Sequence, residues 1–199
     1  PVVDVTLTGA TLPSLSTDDA LTIGAASDTD SGSFAALFNL TTNDMGADDD
    51  GTLGSLVYSL SVTTAASGLS SDGEAITLAM NGNVLEGSTA TGGVIFSVAV
   101  DTAGSITLTQ NAEIDHVGEG LDSDATNNDV NTLGLVAGNV ILTATATTVD
   151  GDGDSHTDSE QVDISSAISF VDDVPVVDVT LTGATLPSLS TDDALTIGA

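Results

Sequence analysis

The chain has 199 residues, with 30 Asp and Glu, two His and no Lys or Arg, for a formal charge of -30 at pH 7. Ion pairing between side chains is therefore excluded as a general source of stability, and nucleic acid is excluded as a partner, because nothing here neutralises phosphate. Hydrophobic residues make up 40% and mean hydropathy is +0.29, so the chain is no low-hydrophobicity disordered polyelectrolyte and can bury a core.

In chain order, the first strand signal is "VVDVTLTG" (2–9), rich in Val and Thr. "SFAALFNL" (33–40) reads either as a short helix or as a buried strand. "GSLVYSLSV" (54–62), "EAITLAM" (74–80), "VIFSVAV" (94–100) and "GSITLTQ" (104–110) follow as strands. So do "NVILTATATTV" (139–149) and "EQVDIS" (160–165), with partial alternation of apolar and polar residues. Gly, Asn, Asp and Ser clusters of the turn-forming kind separate them. The pattern predicts an all-β fold, a two-sheet antiparallel β-sandwich.

Residues 1–25, "PVVDVTLTGATLPSLSTDDALTIGA", recur letter for letter at 175–199. The period of 174 is too long for a solenoid or propeller repeat and has the size of an autonomous domain. The chain thus reads as one complete repeat, 1–174, followed by the opening segment of the next, 175–199, which lacks the rest of its sandwich and is expected to fray. There is no Cys to form a disulfide. No apolar run approaches the roughly 18–20 residues that would span a bilayer. The opening "PVVDVTLTG" lacks the basic region of a signal peptide, in a chain that reads as an excerpt of a longer one.

The acids gather between the strand signals, at 27–32, 43–52, 115–129, 150–159 and 171–178. The densest stretch, "VDGDGDSHTDS" (149–159), holds Asp150, Asp152, Asp154 and Asp158. Asp at alternate positions, spaced by Gly or Ser, can turn several short carboxylates toward one point, and Ca2+ takes six to eight such oxygens. An EF-hand is excluded, because Ser155 stands at the sixth position in place of Gly, Gln161 at the twelfth in place of Glu, and a strand follows. We expect a loop site completed by neighbouring loops, with Asp28, Asp30, Asp48 and Asp50 as further ligands. The junction "FVDDVPVVD" adds Asp172, Asp173 and Asp178, with Asp4 at the place equivalent to Asp178; the paired acids could share a cation between repeats. Asp18 and Asp19, with their copies Asp192 and Asp193, are weaker candidates.

Catalysis has little support. His116 and His156 are the only candidate bases near neutral pH, and no nucleophile elbow, zinc-protease motif or phosphate loop accompanies them. The expectation is a protein that is not an enzyme and has no small-molecule substrate.

The ordered segments "GSLVYSLSV", "GGVIFSVAVDTAGSITLTQNAEIDH", "VILTATATTVDGDGDS" and "ISFVDDVP" resemble the tandem extender domains of large RTX adhesins. These are calcium-dependent surface proteins exported by type I secretion. The resemblance implies an Ig-like or cadherin-like sandwich, bound Ca2+, an extracellular cell-surface location, and neighbouring copies of the same repeat as partners. It carries Asp150, Asp152 and Asp154 as turn ligands and Asp172 and Asp173 as seam ligands. The glycine- and aspartate-rich nonapeptides of the RTX β-roll are absent from the sequence. A calcium-dependent glycan-binding module and a homophilic adhesion domain are the alternative readings.

Overall fold

The computed structural model describes residues 1–22, 24, 26–48, 50–115, 132–171, 183 and 185. Fourteen strands run through them: β1 (Val2–Leu7), β2 (Leu15–Asp18), β3 (Asp28–Ser33), β4 (Phe38–Asp44), β5 (Val57–Val62), β6 (Ala66–Ser71), β7 (Glu74–Asn81), β8 (Val84–Thr89), β9 (Gly93–Val100), β10 (Ser105–Gln110), β11 (Thr132–Gly134), β12 (Val140–Val149), β13 (Ser155–Asp163) and β14 (Ile168–Val171). Among the described residues the only helical pieces are three single 3-10 turns. The all-β expectation holds, and the architecture is sandwich-like.

Alternation explains why these segments are strands. In β12, Val140, Leu142, Ala144, Ala146 and Thr148 turn inward, while the threonines between them turn outward. A period of two places every second side chain on the core face. Burying each of the larger side chains contributes roughly 1.5–3 kcal/mol. β7, β8 and β10 repeat the pattern, and two-residue hairpins join β6 to β7 and β7 to β8. The first is turned by Asp72 and Gly73, with φ of 51° and 76°, the all-positive geometry that matches the twist of paired strands.

Four hydrogen-bonded sheets result: β1-β4, β3-β10-β9-β8-β7-β6, β11-β14-β2 and β13-β12-β5. All pairings are antiparallel except β14 with β2, which is parallel. Segment 33–40 resolves into a 3-10 turn at Ala35–Leu37 followed by β4, so its apolar run is mostly buried strand.

One hydrophobic core serves all four sheets. At its centre Phe96 of β9 meets Phe170 of β14, with ring centroids 4.8 Å apart. The Phe96 ring lies over Gly87, where a Cβ would come within 2.4 Å of it. Phe38 and Tyr58 make a second, edge-on pair at 6.0 Å between β4 and β5.

Side chains sew the sheets together where backbone ladders stop. On β13, His156 Nδ1 accepts the Val3 N–H at 3.1 Å and Asp158 Oδ2 accepts the Val5 N–H at 2.7 Å. On β3, Asp30 Oδ2 accepts the Ser16 N–H and Asp28 Oδ2 the Asp18 N–H, both at 2.9 Å. In each case two acceptors at alternate positions serve two donors at alternate positions on a neighbouring strand.

Candidate metal centre

The site forms where the loop after β4 meets the turn between β12 and β13. Thr52 and Val149 make a two-way backbone bridge, 2.7 Å and 2.9 Å long. Beneath it, Asn43 Oδ1 accepts from the Thr148 hydroxyl at 2.5 Å, and the Asn43 amide donates to the Gly54 carbonyl at 2.8 Å. These bonds fix both ends of the loop to the end of β12. Gly51 then lies flat on the partner turn. A Cβ there would sit 1.9 Å from the Val149 carbonyl oxygen, so only glycine permits the approach.

The 150–154 turn is closed by its own carboxylate. Asp150 donates its N–H to the Asp154 carbonyl at 3.0 Å, and Asp150 Oδ1 accepts the Asp154 N–H at 2.9 Å. The Gly151 N–H reaches across to the Asp48 carbonyl at 3.2 Å. The carboxylates of Asp48, Asp150 and Asp152 consequently converge, with one oxygen from each lying within 4.8 Å of the others. Oxygens sharing one Ca2+ at 2.3–2.6 Å stand at most about 5 Å apart, so the spacing fits a single ion. Asp50 lines the same shallow pocket, with Ala47 and Gly151.

Electrostatics mark the cluster as short of positive charge. A hydrogen bond from the Asp152 carboxyl to Asp150 holds Asp150 below the usual carboxylate range, and the same bond, with the repulsion of Asp150, pushes Asp152 above it. Asp150 is 9% exposed. Pro1 packs against the same turn, its nitrogen 3.6 Å from Asp150 Oδ2. The donor set is entirely oxygen, which suits a hard divalent cation.

Of the expected ligands, Asp48, Asp50, Asp150 and Asp152 come together, and Asp154 contributes backbone to the turn. Asp158, Asp28 and Asp30 do not join them. They stand on strands β13 and β3, where each accepts a backbone N–H. The expectation that 27–32 and all of 150–159 are loops is corrected: β3 begins at Asp28 and β13 at Ser155. Asp4 is likewise on a strand, its carboxylate accepting from the Thr41 hydroxyl. Asp18 caps a 3-10 turn by accepting the Ala20 N–H at 2.9 Å. Asp172, Asp173, Asp178, Asp192, Asp193 and His116 lie outside the described residues. Sequence reading passed over Asn43, Gly51 and Thr148, which carry no charge to draw notice; the Asp-Gly of residues 50–51 was the available signal.

Fold and site together define an all-β domain with an acidic cluster at the meeting of two loops. Residues 14–165 match the family model of a domain of unknown function, DUF5801. The match covers more than half of the 199 residues, and the chain belongs to that family. No curated protein and no solved structure matches it.

Proposed function

We propose that this domain is a structural extender of a bacterial surface adhesin, stiffened by Ca2+ in its loops and at the seams between tandem copies, and not an enzyme. The observation that carries the reading is the convergence of Asp48, Asp150 and Asp152 within 4.8 Å in a chain without Lys or Arg. A divalent cation there would supply the charge the side chains lack and tie the β4 loop to the β12–β13 turn.

The seam follows from the repeat. Pro1 is equivalent to Pro175, and Pro175 is preceded by "FVDDV". In a tandem array, Asp172 and Asp173 of one copy would therefore stand one valine before the proline that lies beside Asp150 in the next. A cation at that place would join carboxylates of two repeats and oppose bending. Export through a type I channel and display outside the cell, where calcium is millimolar, are consistent with such a device.

Calorimetry of the chain in Ca2+ and in EDTA tests the reading, with D150N/D152N as control. A site loaded at one hundred times its Kd contributes about 2.7 kcal/mol. For a domain of this size that is roughly 5–10 °C in melting temperature. Equal melting temperatures in Ca2+ and EDTA would reject it.

A further inference from the structure

A sheet edge presents unpaired backbone N–H and C=O groups, and folded proteins cover it or blunt it with charge, proline or a bulge. Here β2 covers β3 through Asp28 and Asp30, and β1 covers β13 through His156 and Asp158. On β6, the carbonyls of Ala66, Ser67 and Ser70 accept from the Asn139 amide, the Val136 N–H and the Asp115 N–H. β5 differs. It ends the sheet β13-β12-β5, and among the described residues no strand pairs with its outer side. The Thr63 N–H bonds to the Asn139 carbonyl, and Val57, Ser59 and Ser61 stand opposite Thr145, Thr143 and Ile141. Bonded and open pairs alternate in an antiparallel ladder, so Tyr58, Leu60 and Val62 turn their backbone groups to the open edge. "VYSLSV" has no proline and no charge, and its register with β12 runs without a bulge. In a chain of formal charge -30, no Asp or Glu occurs between Gly51 and Asp72, and none on β12.

We infer that the outer edge of β5 pairs with the same edge of a second copy of this chain, antiparallel about a two-fold axis at Leu60. Leu60 then faces its own counterpart and Tyr58 faces Val62, so the open backbone groups of both edges find partners. On the exposed face Ser59 meets Ser61, and both side chains are small and neutral. Charge selects this occupant. Two chains of -30 repel one another, and the repulsion fades over about 8 Å at physiological salt. Asp158 and Glu160 of β13 stand two strand spacings behind the edge, about 10 Å, which leaves β5 as a place where copies can approach. The contact is narrow, so a single pair is weak and gains strength where tandem copies engage several edges together. It needs no metal, so it stands or falls apart from the calcium reading.

Sedimentation equilibrium of the full chain tests it, in Ca2+ and in EDTA alike. The weight-average mass should rise with concentration toward twice the monomer, and more steeply at high salt. Amide exchange at Tyr58, Leu60 and Val62 should slow by about tenfold or more between dilute and concentrated protein, while Ser59 and Ser61, already bonded to β12, should not change. S59D/S61D sets like charges opposite each other across the two-fold axis, so it should stay monomeric with the melting temperature of the parent. S59K/S61K should do the same, and an equimolar mixture of the two variants should form a heterodimer. N83D/T102D adds the charge of S59D/S61D at exposed turns and should dimerise as the parent does. The inference is overturned if the parent is a monomer at every concentration, if S59D/S61D dimerises like it, or if the mixture stays monomeric. It is equally overturned if Tyr58, Leu60 and Val62 are protected in the dilute monomer, which would mean that the chain covers this edge itself.

Discussion

Asp158 Oδ2 accepts the backbone N–H of Val5 at 2.7 Å, across 153 positions of sequence, and thereby fastens β1 to β13 where no backbone ladder joins them. Val5 is 1% exposed, so its N–H has no ready access to water if the carboxylate is lost. Leaving a buried donor unpaired costs about 1–3 kcal/mol. D158A should lower stability by that amount in urea denaturation, and D158N, which keeps a carbonyl acceptor, should lose less. Exchange of the Val5 amide should accelerate in D158A, whereas a metal-ligand role for Asp158 would make its effect depend on Ca2+.

Asp163 is a second carboxylate with a structural task. Its Oδ2 accepts the Gly138 N–H at 2.7 Å, and its Oδ1 accepts the Ser165 N–H and hydroxyl at 2.9 Å and 2.6 Å. Partial burial on its own would raise its pKa, but the bonds from Ser165 and Gly138 outweigh it and hold the carboxyl below the ordinary value. A depressed pKa contributes stability that is complete above the unfolded carboxylate range and is lost as pH falls through the folded value. Acid unfolding of D163N should accordingly show a shallower fall in stability below about pH 4 than the parent. Parallel curves for the two proteins would exclude Asp163 from the acid response.

Gly51 sets the distance between the two acidic loops. Any Cβ there meets the Val149 carbonyl oxygen at 1.9 Å and the Asp150 Cα at 2.6 Å, and both are backbone atoms that cannot rotate away. G51A should separate the loops, lower the melting temperature in EDTA, and weaken divalent binding without altering any carboxylate. Isothermal titration with CaCl2 measures the second effect; affinity equal to that of the parent would show that the approach of the loops is irrelevant to the cluster.

The all-β class was legible because period-two patterns in β7, β10 and β12 are apolar on one side, and because β9 is a continuous run of β-branched and apolar residues. β2, β11 and β14, of three or four residues, are too short to show a period and are defined by their neighbours. For the site, Asp150 and Asp152 were legible from an Asp-Gly turn, and Asp48 from a second one. Asp28, Asp30 and Asp158 were misplaced for a physical reason. Alternate spacing gathers carboxylates in a tight turn, but on a strand the same spacing puts them on one face, where backbone donors of a neighbouring strand use them. Which outcome holds depends on what lies alongside, and one stretch of sequence does not carry that information.

The opposite shifts of Asp150 and Asp152 give the candidate centre its own pH signature. Asp152 is pushed above the ordinary carboxylate range chiefly by its hydrogen bond to Asp150, and secondarily by the charge of that neighbour. A divalent cation favours both groups ionised, so it competes with the Asp152 proton. As pH falls from neutral, Asp152 regains its proton before unperturbed carboxylates do, and affinity for Ca2+ should weaken above the range in which they titrate. Titrations at constant pH in two buffers of different ionisation enthalpy should register proton release on binding at mildly acidic pH and little at neutral pH. D152N removes both the ligand and the titrating carboxyl, so it should bind more weakly and without that buffer dependence. If parent and D152N released equal numbers of protons, the cation would be bound elsewhere, and Asp48, Asp150 and Asp152 would be a solvated acidic cluster only.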